Sequence, residues 1–125
     1  MNSLYTKYGF LAAPITLKQL EFRIKTLQLE EYDELEDALD SKNAEEVVDA
    51  LIDTIVIAAG TLELLGVDSQ KAWSVVNKAN HAKKRGIKST RPESGGFDLI
   101  KPDGWVAPSH LHNHGQLPRI FRKPS

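Results

Sequence analysis

The chain has 125 residues, 41% of them hydrophobic and 26% charged, with a net charge of −1 and no cysteine. That length suits one domain able to bury a core without staples, and the lack of cysteine excludes disulfides and thiol nucleophiles. Near-neutral charge offers no global field for a nucleic acid polymer or a membrane. The most apolar run, residues 55–59, is far too short to span a bilayer, and the N-terminus lacks the basic-then-apolar pattern of a signal peptide.

Residues 1–13, with Leu4, Tyr5, Tyr8, Gly9 and Phe10, read as a short helix or arm ending near Gly9. Pro14 separates it from a first long helix, for which Thr16 and Gln19 form a capping box. Leu20, Ile24, Leu27, Glu31, Leu35 and Ala38 then recur at steps of three and four, the helix period, to about Asp40. Ser41, Lys42 and Asn43 make a turn. A second helix covers residues 44–65, and its apolar residues wrap most of its circumference, which places it at the centre of a bundle. Gly66 stops it, and Asp68 caps a third helix expected to run to about Arg85. Residues 87–125 hold no helical period and many Gly and Pro, so they read as an irregular tail with a short strand near residues 97–100. The expected fold is therefore all-α, a helical domain over residues 1–86 followed by an extension over 87–125.

Charge is unevenly spread. Residues 30–53 carry eleven carboxylates and one base, Lys42, whereas nine Lys or Arg and three acids follow from Lys83 onward. Charge runs usually mark a solvated face, but helical register singles some of these acids out. Glu31 lies on the apolar stripe of the first long helix with Glu34 at i+3, and Glu30 flanks both. On the second helix Glu46, Asp49 and Asp53 fall at i, i+3 and i+7, on one face of a mostly apolar helix. A partly buried carboxylate is costly unless a cation compensates it, and no Lys or Arg lies on the matching faces. All-oxygen ligands favour Mg²⁺, Mn²⁺ or Ca²⁺ over Zn²⁺. A di-iron carboxylate bundle would need Glu-x-x-His pairs, which are missing.

The run Glu30-Glu31-Tyr32-Asp33-Glu34 followed by Glu46-Val47-Val48-Asp49 resembles the EExxE…ExxD signature of the MazG-like all-α nucleoside triphosphate pyrophosphatases, a group that includes phosphoribosyl-ATP pyrophosphohydrolases and dimeric dUTPases. The likeness extends to residues 49–53, Gly60, Gly66-Val67-Asp68, residues 77–83, the Tyr5–Gly9 segment and Arg23. It implies an antiparallel helical bundle that assembles as a homodimer or homotetramer in the cytoplasm, the host's if phage-encoded. It also implies hydrolysis of a (d)NTP to the monophosphate and pyrophosphate. By the same resemblance Glu31, Glu34, Glu46 and Asp49 would ligate Mg²⁺, with Mn²⁺ able to substitute. Asp53 or Glu30 would add a ligand or orient water, and Glu34 or Glu30 would take its proton. Asn80, Lys83 and Lys84 match positions near the phosphates, against the alternative of an exposed helix end where bases are favoured anyway.

The tail segment from Gly95 to Trp105 resembles one that follows the third helix in phage and bacterial members of the group. Trp105 or Phe97 would stack on a base and Lys101 reach a phosphate, or the aromatics would pack the tail down. That likeness favours a purine dNTP (dGTP or dATP), with dUTP, phosphoribosyl-ATP and a non-catalytic oligomerisation module as alternatives. His110, His112 and His114 alternate, in a setting that favours incidental spacing over chelation.

Overall fold

In a computed structural model the described residues are 7–11 and 13–122, so the expectation for Leu4, Tyr5 and Thr6 lies outside them. The chain divides into two compact units: the residues up to Asp68 joined by those from His114 on, and residues 69–113 between them. The expected division at residue 86 is therefore not where compactness changes.

In the first unit the capping box forms as expected. Thr16 Oγ1 accepts from the Gln19 N–H at 3.2 Å, and Gln19 Oε1 accepts from the Thr16 N–H at 2.8 Å. Helix α1 (Leu17–Phe22) leads without a break into a π-helical turn (Arg23–Leu27) and on into α2 (Gln28–Asp40). The π turn corrects the simple periodic reading. Ile24 is half-exposed, and Arg23 is buried in its stead. Apolar periodicity cannot foresee this, because the buried group is a guanidinium with partners on the neighbouring helix.

The turn after α2 closes with Asn43 N–H donating to Ala38 O and Lys42 N–H to Leu39 O, which puts Lys42 at a left-handed φ of 56°. Helix α3 (Ala44–Leu65) then starts on Asn43, whose side chain accepts from the Glu46 N–H at 3.2 Å. A turn this short makes α2 and α3 antiparallel neighbours. At the far end Gly66, at φ 75°, completes a Schellman pair: Gly66 N–H to Glu63 O, Val67 N–H to Leu62 O.

Helix α3 is not enclosed within one chain. Ala50, Gly60, Thr61 and Leu65 are buried, but Val48, Leu51, Ile52 and Ile55 remain exposed, because only one side of the helix faces α2 and the π turn. The expected central position is thus met on one face only.

The tail is less irregular than its composition suggests, and it supplies part of this unit's core. Helix α5 (Leu117–Arg122) carries Ile120, 3% exposed, into a cluster with Ile15, Leu20 and Leu65. Pro118 sits in its first turn, where a missing N–H costs nothing. Gln116 donates its backbone N–H to Leu65 O (2.7 Å) and its side-chain amide to Leu64 O (3.3 Å), satisfying carbonyls left over at the end of α3. Arg119 donates to Ile15 O at 2.6 Å.

The second unit contains α4 (Ser69–His81), β1 (Lys84–Gly86), a 3₁₀ turn (Pro92–Ser94) and β2 (Asp98–Ile100). The strands pair antiparallel, with Lys84 opposite Ile100 and Gly86 opposite Asp98. The strand expected near residues 97–100 is present. Helix α4, however, ends at His81, four residues before the expected Arg85, because residues 84–86 are drawn into that pairing. Trp73, on α4, is exposed in its own unit.

Candidate active site

On α2 and α3 the structure gathers four of the expected carboxylates. Glu31 is held above its ordinary carboxyl pKa, first by burial, then by the negative charges of Glu34 and Asp53, by a hydrogen bond with Glu34 that favours its protonated form, and by Asp49. Two acids of α2 and two of α3 thus lie within electrostatic reach of one another. One Glu31 oxygen, Oε2, is buried without any hydrogen-bond partner. A buried carboxylate oxygen left unmatched costs on the order of 1–3 kcal/mol. Such an atom among like charges is what a cation would satisfy, so these residues fit a divalent metal in donor chemistry. Among the described residues no three His, Asp or Glu side chains are already closed to metal-ligand geometry. Glu34 and Asp49 are exposed, so their carboxylates are free to splay as mutual repulsion requires. Glu30 and Glu46 are also exposed and are not among the charges acting on Glu31.

This arrangement has a pH signature. The folded state holds the Glu31 proton more tightly than the unfolded chain does. Its contribution to stability is therefore present below the ordinary carboxyl pKa and is lost as pH rises through the raised folded value. Melting in EDTA should show that Glu31→Gln gains stability over the unaltered chain as pH is raised from below the ordinary carboxyl pKa through the raised folded value. A gap that stays constant or narrows would contradict the repulsion described here.

The expected phosphate-side residues lie in the second unit and only partly come together. Lys83 and Lys101 place their ammonium groups 5.2 and 5.1 Å from the centre of the Trp105 ring. The Trp105 indole N–H donates to Ala79 O, near the end of α4, at 2.8 Å. Trp105 therefore secures its segment to α4 and also collects two cations. Asn80 is exposed in the last turn of α4, its carbonyl accepting from the Lys83 N–H. Lys83 and Lys84 are both corrected from the helix: Lys83 lies past the end of α4, and Lys84 lies on β1 opposite Ile100.

Two pairings here were not expected from the sequence. Arg85 stacks its guanidinium 4.5 Å from the centre of the exposed Phe97 ring while donating to Gly96 O at 2.8 Å. Arg91 forks onto both Asp98 oxygens at 2.9 and 2.8 Å. The Leu99 N–H, followed by Arg91, holds the Asp98 carboxyl below its ordinary range despite some burial. Opposite charges seven residues apart are no signal by themselves; the hairpin makes them one.

The family model for phosphoribosyl-ATP pyrophosphohydrolases matches residues 12–80, more than half of the chain, and the chain belongs to that family. Membership implies a pyrophosphohydrolase of nucleotides. No curated protein matches the chain. The matched stretch contains Glu30, Glu31, Glu34, Glu46, Asp49 and Asp53 and ends at Asn80, so Lys83, Lys84, Lys101 and Trp105 lie beyond it. No helix among the described residues is long and apolar enough to cross a membrane.

Proposed function

We propose that the protein hydrolyses a (deoxy)nucleoside triphosphate to the monophosphate and pyrophosphate, using Mg²⁺ for which Mn²⁺ can substitute. The observation that carries this reading is the buried, unmatched Glu31 oxygen surrounded by Glu34, Asp49 and Asp53. Glu31, Glu34, Glu46 and Asp49 are the proposed ligands, with Asp53 behind them. A metal held there would neutralise phosphate oxygens and acidify water. Glu34, beside Glu31, is the first candidate for the general base, and Glu30 the second.

Asn80, Lys83, Lys84 and Lys101, with Trp105, are the proposed substrate-binding residues; the gathering of Lys83 and Lys101 on Trp105 supports their grouping. Purine dNTPs are the favoured substrates. The family's own name adds phosphoribosyl-ATP, and dUTP completes the set. The apolar residues left exposed along α3 (Val48, Ile52 and Ile55) and on α2 (Tyr32 and Leu39) support assembly of a homodimer or homotetramer.

A panel of (d)NTPs and phosphoribosyl-ATP, assayed with Mg²⁺ and again with EDTA, tests this reading. Turnover of at least one of them with Mg²⁺, lost in EDTA, is expected. Full activity in EDTA would contradict the metal assignment, and inertness toward every substrate would favour a non-catalytic module.

A further inference from the structure

Arg23 is a buried cation at 9% exposure, two turns before Glu31 on the same continuous helix. Its Nε donates to Thr61 Oγ1 at 2.8 Å, and a terminal nitrogen donates to Ile57 O at 3.2 Å. Thr61, also buried, is itself fixed by donating to the same Ile57 carbonyl at 2.8 Å. The Arg23 carbonyl in turn accepts from the Gln28 N–H, the i→i+5 bond that defines the π turn.

This geometry solves a register problem. Arg23, Glu31 and Leu35 are each less exposed than the residues on either side of them, and Leu27, half-buried like its neighbours, falls between them at the same spacing of four. In an α-helix of 3.6 residues per turn, each step of four overshoots the face by about 40°, so three steps drift by about 120°. A wider turn absorbs one residue and removes most of that drift. Arg23 holds the turn by its side chain on α3 and by its carbonyl on Gln28.

We propose that Arg23 is a positioning residue for the acidic site: fastened to Thr61 and Ile57 of α3, it sets the rotation at which α2 presents Glu31 and Glu34 to Asp49 and Asp53. The planar fork of arginine fixes two directions at once, which apolar contact between helices does not. Thr61 is its partner in this role. In this role both act through the helices that carry the site and not as ligands. The inference rests on the metal reading given above.

The test is Mn²⁺ binding by electron paramagnetic resonance, well below the melting temperature, where a loss of overall stability alone leaves affinity unchanged. The unaltered chain should bind Mn²⁺ and Glu31→Gln should not. Arg23→Met and Thr61→Val should each weaken binding about tenfold or more, the usual effect of removing a group that orients a ligand. Thr61→Ser, which keeps the hydroxyl, should restore near-normal affinity. Should Arg23→Met fail to fold, the Thr61 pair carries the test. Normal affinity in Thr61→Val, against Glu31-dependent binding in the unaltered chain, overturns the positioning role alone. Equal weakening in Thr61→Ser and Thr61→Val overturns it too, because the hydroxyl would then be irrelevant. Absence of Glu31-dependent binding in the unaltered chain overturns the metal reading and this inference together.

Discussion

Glu31→Gln should reduce pyrophosphate release by about a thousandfold, on the order of 4 kcal/mol of barrier, while melting higher than the unaltered chain in EDTA. The two effects have one cause. Glu31 is the carboxylate that burial and three neighbouring acids work against, and its Oε2 has no partner. Glutamine keeps the shape and removes the charge, so the metal-free fold loses a repulsion and should gain a few degrees in melting temperature. On the proposed metal reading, catalysis would lose a ligand that no neutral amide replaces for a hard cation. Asp49→Asn should lose activity similarly with a smaller gain in stability, since Asp49 is exposed and its charge is the weakest of those acting on Glu31. Steady-state kinetics and calorimetry on the two variants check both claims. An active Glu31→Gln, or one that melts lower in EDTA, would contradict the account.

Ile120→Ala should destabilise the protein by about 3 kcal/mol, the usual cost of emptying a buried isoleucine site, although the residue lies in a segment whose composition reads as loose tail. Ile120 closes the cluster of Ile15, Leu20 and Leu65 at the end of α3. Gly115→Ala should reach a comparable loss by another route. Gly115 has a left-handed φ of 54°, and a Cβ there would run into the Leu65 carbonyl. The chain must pass that close for Gln116 to bond Leu64 O and Leu65 O, so the glycine and the two bonds stand or fall together. Denaturant melts of both variants measure this. Changes under about 0.5 kcal/mol, the ordinary range for surface substitutions, would show that the tail is not part of the core.

Much of the first unit was legible because its signals are local. Thr16 with Gln19 marked the start of the first helix, Asn43 lies in the expected turn, and Gly66 marked the end of α3. Spacing singled out Glu31 and Glu34 on α2 and Glu46, Asp49 and Asp53 on α3; of these, Glu34, Asp49 and Asp53 act on Glu31, and Glu46 does not figure among the charges that do. What was not legible depends on partners distant in sequence. Lys83 to Arg85 are good helix formers, yet pairing with residues 98–100 ends α4 at His81. Arg23 displaced Ile24 from the inner face because hydrogen bonds across to Thr61 and Ile57 make burial of a guanidinium affordable. Helix α5 has six residues, too few for a period, and its Pro118 reads as a breaker unless its place in the first turn is known. The pairing of Lys83 and Lys101 on Trp105 needed the hairpin that joins them.

The central claim is that this chain breaks the bond between the α- and β-phosphates of a nucleoside triphosphate. Incubation of the preferred dNTP with Mg²⁺, followed by anion-exchange separation of the products, tests it most directly. Equal amounts of the monophosphate and pyrophosphate are predicted; the diphosphate with orthophosphate would contradict it.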